Sequence, residues 1–376
     1  MFLQKDGKTI FPLGMYDKPK NDEEWSQWSH AGINLVRCAN REDLDEVQKW
    51  GMLGWVSVPM ILADDDDGSA LKERIDSLKD HPALAVWEAP DEAIWNAIYT
   101  QAFHIPTRLW AEPPDVIEKA TADMNAVVRG LERGTAIIRE RDPLHRIWLN
   151  EAVLAPLDYL AKCAPSLDII GFDYYPVGMY EDNFAYVPEL MGKDIDNFQK
   201  AAPGKEFWMV EQAFTFPDLG GGFVSMKSQY PTLDEIRFGA WQAIVHKTTG
   251  LLWFGSGFVK RPNPMFADLM TVVSELDSVQ EFLGLGPEPS VKGYAHHTWR
   301  PSIMGCSCEA RRIGDRTLVT MINEDSHAVD MMIHGLDWLT PAEMVPLHEP
   351  SAELTPLDGG YITPMKGYET RVYLVG

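Results

Sequence analysis

Short apolar, β-branched or aromatic runs alternate with helical patterns in a regular order up to about residue 284. The runs Ile10–Tyr16, Ile33–Cys38, Leu53–Val58, Leu84–Trp87, Arg146–Asn150, Ile169–Tyr174, Phe207–Glu211 and Leu251–Phe254 predict eight strands. The spacing between them predicts helices, among them Glu42–Trp50, Ala70–Lys79, Val116–Arg141 and Leu233–Lys247. Strand and helix alternating eight times predict an α/β fold, a (β/α)8 TIM barrel. An open doubly wound sheet would also alternate, but no Gly-x-Gly-x-x-Gly turn follows an early strand.

Beyond Gly284 the pattern changes. Gly286-Pro287-Glu288-Pro289-Ser290 reads as a linker. The runs Val291–Trp299, Cys306–Arg312, Thr317–Asn323, Val329–Ile333 and Thr370–Val375 are short and alternating, with turns such as Ile313-Gly314-Asp315 between them. They predict a small antiparallel β-sandwich. The expected domains are a barrel over residues 1–285 and a sandwich over 288–376.

Composition narrows the function classes. The chain has 376 residues, 45% hydrophobic and 24% charged, as in ordinary globular proteins, and its net charge is −23. Such acidity argues against nucleic acid or an anionic membrane surface as partner and leaves neutral substrates open. Cys38, Cys163, Cys306 and Cys308 have neither disulfide-framework nor zinc spacing. No run is long enough to span a bilayer. Met1-Phe2-Leu3-Gln4-Lys5-Asp6 is too polar for a signal peptide, which leaves a cytoplasmic protein or one whose leader lies outside this chain. Asp64-Asp65-Asp66-Asp67 reads as a solvated run, with a Ca2+ site as the alternative.

Two apolar runs end on carboxylates: Leu84-Ala85-Val86-Trp87-Glu88-Ala89-Pro90-Asp91-Glu92, and Phe207-Trp208-Met209-Val210-Glu211. They are strands 4 and 7 by count, and a parallel barrel brings the C-terminal ends of its strands to one mouth. Two carboxyl groups facing each other across one bond are what glycoside hydrolysis requires.

Taken with its neighbours in order, the chain resembles the clan A glycoside hydrolases, retaining (β/α)8 enzymes with the acid/base on strand 4 and the nucleophile on strand 7. Phe11-Pro12-Leu13-Gly14-Met15-Tyr16 is similar to their opening strand, and Arg37 to the strand 2 arginine that steadies the nucleophile. Gly171-Phe172-Asp173-Tyr174-Tyr175-Pro176 resembles strand 6, and Trp253 the strand 8 tryptophan under the sugar. The resemblance implies Glu92 as acid/base and Glu211 as nucleophile, cleaving a β-linked glycosidic bond by double displacement. Arg37 and Tyr174 or Tyr175 would orient Glu211, and Asp91, Asp173 and Trp253 would hold the sugar. A pair of this kind is expected about 5–5.5 Å apart. No metal or organic cofactor is expected.

Two departures stand out. The clan's Asn-Glu-Pro is here Asp91-Glu92-Ala93, and aspartate accepts but cannot donate a hydrogen bond. Asn150-Glu151-Ala152 matches the motif better by letters but falls on strand 5, so Glu151 ranks second; Glu88 is a further competitor on strand 4. The segment from Trp95 to Trp110, with Tyr99, Phe103 and His104, is expected to be a loop walling the cleft. The rival readings are a catalytically inactive carbohydrate-binding barrel and a metal-dependent hydrolase. The second is disfavoured because no His-x-His follows strand 1. Sugar, linkage, endo or exo action and oligomeric state stay open.

Overall fold

The structure, a computed structural model, describes residues 3–5, 7–99, 111–178, 188–224, 226–296, 305–348, 354–357 and 359–376. Eight parallel strands close into a barrel: β1 (Leu13–Met15), β2 (Leu35–Cys38), β3 (Leu53–Ser57), β4 (Leu84–Glu88), β5 (Arg146–Ala152), β6 (Ile169–Tyr174), β7 (Glu206–Gln212) and β8 (Gly250–Phe254). Around them run α1 (Asp22–Ala31), α2 (Arg41–Lys49), α3 (Ser69–Leu78), α4 (Ala93–Tyr99), α5 (Pro114–Arg141), α6 (Leu157–Cys163), α7 (Pro188–Ala201), α8 (Leu233–Val245) and α9 (Pro264–Ser278), followed by the short α10 (Gln280–Leu283). Among the described residues, no helix is long and apolar enough to cross a membrane.

Side chains on a strand alternate between its two faces, so each barrel strand feeds two cores. Leu35, Leu53, Trp55, Val86, Trp148, Ile169, Trp208, Val210 and Leu252 fill the interior. Trp148 and Trp208 meet there with centroids 5.1 Å apart, and Trp55 and Trp148 at 5.7 Å. Room for Trp208 comes from Gly250, where a Cβ would lie 2.7 Å from the indole Cδ1. A hairpin, Leu3–Lys5 paired with Lys8–Ile10, adds Leu3 and Ile10 to this interior cluster. The alternate residues, including Val36, Val56, Trp87, Leu149, Phe172, Met209 and Trp253, pack outward under the helices.

Beyond the barrel, the antiparallel strands are β9 (Lys292–His296), β10 (Cys306–Ile313), β11 (Arg316–Asn323), β12 (Val329–His334), β13 (Val345–Pro346), β14 (Thr355–Leu357), β15 (Gly360–Met365) and β16 (Thr370–Val375). They form two sheets, β9-β12-β15-β14 and β10-β11-β16-β13, with Cys306, Cys308, Val319, Met331 and Tyr373 between them. Sequence reading did not include β13, β14 and β15; Pro346, Pro356 and Pro364 interrupt those runs, and proline ordinarily argues against a paired strand.

The sandwich is bolted to the barrel. Leu318 and Val372 join the barrel's outer core, and Arg311 donates to the carbonyls of Leu283 (2.7 Å) and Ile244 (2.8 Å). Beside them, His246 at the end of α8 places Nδ1 2.9 Å from Asp196 on α7 and Nε2 2.8 Å from Glu324 after β11. Gln242 also donates to Glu324 (3.1 Å). A carboxylate on each ring nitrogen favours the doubly protonated imidazolium and holds His246 up at about 9 despite burial.

Because the folded value lies above the unfolded one of about 6.5, this contribution is whole below pH ~6.5 and is lost as pH rises through 9. Thermal melting across that window should fall by more in the wild type than in His246→Gln. The difference should approach about 3 kcal/mol as an upper bound.

Candidate functional site

Eight strand ends meet at the C-terminal mouth, and the pleat decides which residues enter it. Tyr16, just after β1, belongs to the interior cluster, and Arg37, Glu88, Asn150 and Asp173 continue the inward faces of β2, β4, β5 and β6. Arg37 donates to Glu88 through Nε (2.8 Å) and Nη2 (2.7 Å), with its guanidinium carbon 5.3 Å from the centre of the Tyr16 ring. Glu88 is fully buried; burial pushes its carboxyl up to about 7, against the pull of Arg37. Tyr16 is driven well above the usual phenol range by burial and by Asp91, Glu88 and Asp173.

Glu92 follows β4 in the left-handed region, with φ of +49°. A non-glycine residue there costs on the order of 1–3 kcal/mol and persists only where its surroundings fix it. Strand β5 does the fixing. The Glu92 N–H donates to the Asn150 carbonyl (3.0 Å), and Asn150 Nδ2 donates to Asp91 Oδ1 (3.0 Å). Glu151, the next residue, points outward and caps α4, accepting from the N–H groups of Ile94 (2.8 Å) and Trp95 (3.3 Å). Burial raises Glu151 to about 8, and those two donors oppose the rise. The Asn-Glu pair on β5 therefore braces the turn that carries Glu92.

The carboxyls of Glu92 and Asp173 face each other closely enough for each to shift the other's titration. Burial and the charge of Asp91 raise Glu92 to about 7. Burial, with Glu92 and Asp91, drives Asp173 well above the usual carboxylate range, against a hydrogen bond from Tyr175. Two carboxyl groups in contact cannot both ionise, so the pair holds one proton near neutrality and titrates as a unit. Tyr175 stacks on Phe254, which closes the wall between Tyr175 and Tyr16 (centroids 5.8 and 5.7 Å).

Several expected residues lie elsewhere. Glu211 shares the outward face of β7 with Phe207 and Met209, and its carboxyl lies against α8: a Cβ at Gly239 would be 3.2 Å from Oε2. It is 5% exposed, Oε1 has no hydrogen-bond partner, and burial lifts it to about 8. The Trp253 indole faces it and opposes that rise without reaching full hydrogen-bond geometry. None of the mouth carboxyls acts on Glu211, so the structure does not bring it to Glu92. Trp253, paired with Glu211 across β7 and β8, is likewise turned outward and fully buried, and Phe254 holds the inward position.

Arg37 therefore pairs with Glu88 rather than Glu211. Tyr174 is also outward, packed on Phe172 at 6.2 Å, which leaves Tyr175 as the tyrosine at the mouth. Trp95 is half-buried in the first turn of α4, where a loop was expected; Trp110, Phe103 and His104 lie outside the described residues. Asp64–Asp67 is exposed, with Asp66 and Asp67 accepting from the N–H groups of Gly68 and Ser69. Among the described residues, no cluster of His, Cys, Asp and Glu could hold a metal. Asn150, Tyr16 and Phe254 had been passed over. Asn150 carried a signal in its motif-like Asn-Glu step, which here braces the turn that carries Glu92.

No protein-family model matches the chain, and no curated protein sequence matches it. Solved structures do. A GH42 β-galactosidase from G. stearothermophilus is similar with a TM-score of 0.62 at 10% identity, over 97% of this chain and 98% of that one. A β-galactosidase from the psychrophilic Marinomonas ef1 gives 0.51 at 14% identity, over 73% of this chain. This chain spans about three fifths, 61%, of the length of that enzyme. An α-amylase from Geobacillus thermoleovorans, complexed with acarbose, gives 0.55 at 9% identity, over 98% and 99%. At these identities the likeness establishes the fold alone, a barrel shared with those enzymes.

The Asp91 charge opposes ionisation of Glu92. In Asp91→Asn the group should release its proton at lower pH. Titration of Glu92 followed by carbon-13 NMR of the labelled carboxyl should place its midpoint below the wild-type value near 7. An unchanged midpoint would contradict the coupling.

Proposed function

We propose that this protein is a retaining glycoside hydrolase that cleaves a β-linked glycosidic bond at the barrel mouth, with Glu92 as acid/base and Asp173, rather than Glu211, as nucleophile. The observation that supports this reading is that the carboxyls of Glu92, in the turn after β4, and Asp173, on the inward face of β6, interact directly and shift one another's titration. An inverting enzyme needs room for a water, with its carboxyls ~6.5–9.5 Å apart; a retaining pair needs only ~5–5.5 Å. Carboxyls close enough to titrate together are nearer to the retaining geometry than to the inverting one.

Burial and the Glu92 and Asp91 charges favour the shared proton on Asp173 at rest, and the reaction starts once that proton has passed to Glu92. Glu92 gives that proton to the glycosidic oxygen as its bond to the anomeric carbon breaks, and the Asp173 carboxylate bonds to that carbon, releasing the alcohol. Glu92 then takes a proton from water, whose oxygen attacks the same carbon and frees Asp173. Tyr175 lies beside Asp173 and favours its ionised form, and the Arg37–Glu88 pair and Tyr16 form a fixed polar floor. The second reading, a carbohydrate-binding barrel without activity, draws support from the outward placement of Glu211, since the strand 7 carboxylate is then missing from the mouth.

Kinetics on activated aryl β-glycosides separate these readings. Asp173→Asn should lose about a thousandfold or more in kcat/KM, whereas Glu211→Gln should stay within about threefold. Glu92→Ala should accumulate a glycosyl-enzyme, and azide should restore its turnover and give the β-azide. Loss of activity in Glu211→Gln with Asp173→Asn active would overturn the assignment. Binding of glycans without turnover of any would favour the second reading.

A further inference from the structure

The mouth has two unlike sides. Glu88, Asp91, Glu92 and Asp173 come to it from β4, the turn after β4, and β6. The side formed by β7, β8 and the loops that follow them is aromatic. Phe254, which meets Tyr16 and Tyr175, also meets Phe258 in the loop after β8, with centroids 6.1 Å apart, and Phe214 just after β7 at 5.8 Å. From Phe214 the contacts run on to Phe216 (5.3 Å) and from there to Phe223 (5.8 Å), both in the loop after β7. The far rings are open to solvent: Phe258 is 50% exposed, Phe223 is 44% exposed, and Val224 beside it is 65% exposed. Tyr175 lies beside Asp173 and stacks on Phe254, so it borders both sides.

A single exposed phenylalanine is ordinary on a protein surface. These rings are different because the loops that present them are fixed. Asp17, after β1, accepts from the Gly255 N–H (3.0 Å) and the Ser256 hydroxyl (3.3 Å). Arg261 donates to the carbonyls of Ser256 (2.9 Å) and Val259 (3.0 Å), and Lys20 donates to that of Val259 (3.0 Å). Gly255 has φ of +94°, and a Cβ there would lie 2.4 Å from Phe214 Cδ1, so the loop seats directly on that ring. Ser256 and Val259 are fully buried, while Phe258 between them projects. On the other loop, Asp218 accepts from the Thr215 N–H (3.4 Å) and the Tyr230 hydroxyl (2.7 Å), which closes the turn that carries Phe216. Rings held in place before a ligand arrives lower the entropic cost of binding it.

A phenyl face takes any apolar group but offers no hydrogen bond. A second sugar laid on these rings would leave its hydroxyls to water, whereas an alkyl or aryl group has none to satisfy and gains by leaving water. In a glycoside the apolar part is the aglycone. We propose that, on the hydrolase reading above, the substrate is an amphipathic glycoside, whose sugar meets the carboxyl side of the mouth and whose alkyl or aryl aglycone lies on the Phe223–Phe258 side. Oligosaccharides, with a sugar as leaving group, are poorer substrates.

The test uses the full chain with methyl, butyl and hexyl β-glucosides and β-galactosides below their micelle-forming concentrations, and with cellobiose and lactose. The alkyl alcohols leave with nearly equal ease, so kcat/KM along each series reads the aglycone contact. Full burial of one methylene is worth about fourfold. On rings that stay half-open, hexyl should exceed methyl by about tenfold or more, and should exceed the matching disaccharide. In the double variant Phe223→Ser, Phe258→Ser the gain should fall to within about threefold of unity. Leu144→Ser should keep it, since that side chain is 85% exposed but precedes β5, at the opposite end of the barrel. No gain along the series, a gain unchanged in the double variant, or faster cleavage of the disaccharides would overturn the proposal. If no glycoside is cleaved, the hydrolase reading fails, and calorimetric titration with the same alkyl glycosides still decides this one. Affinity that rises with chain length and is lost in the double variant supports it; affinity independent of chain length, or no binding, overturns it.

Discussion

The two-residue period of a β-strand decides which side chains of this barrel can reach a substrate. A shift of one position along a strand moves a group from the mouth to the layer beneath the helices. Arg37, Glu88, Asn150 and Asp173 fall on the inward count, while Glu211, Trp253 and Tyr174 fall on the outward one. On β7 and β8 the consequence is a matched pair: Glu211 and Trp253 are register partners and face the helices together, and Phe254 stands at the mouth in their place. On the proposed reading, the chemistry at the mouth comes from β4 and β6.

Holding Glu92 in place engages more of the fold than its own strand. Its left-handed backbone is secured by the Asn150 carbonyl, and the helix it introduces is capped by Glu151 from the other face of the same strand. One dipeptide thus supports Glu92 from inside the barrel and from outside. A similar division applies at the domain boundary, where α7 and α8, the helices after β6 and β7, are tied to the sandwich through His246, Glu324 and Arg311.

The order of strands and helices was legible because each run is apolar, of strand length and separated by helical periodicity. The side each residue faces was much less so. Strands of a parallel barrel are buried on both faces, so Phe207-Trp208-Met209-Val210 shows no alternation from which inside can be told from outside. A motif that ends on a carboxylate then gives the strand but not the face. Glu92 escaped this ambiguity because it lies in the turn after β4, where its partners on β5 and β6 set its direction. Asp173 was visible as a polar residue within an apolar strand, and only its contact with Glu92 distinguishes a reacting group from a sugar contact. Residues 100–110 and 179–187, which follow α4 and β6, lie outside the described structure.

The central claim is that Asp173 bonds to the anomeric carbon. A 2-deoxy-2-fluoro glycoside with a good leaving group, which slows release of the glycosyl-enzyme, would trap that bond; peptide mapping by mass spectrometry would locate it. The account predicts the fluorosugar on the peptide containing Asp173, with none on the peptide containing Glu211. A label on Glu211 would contradict it, and would require β7 to present the opposite face to the barrel mouth.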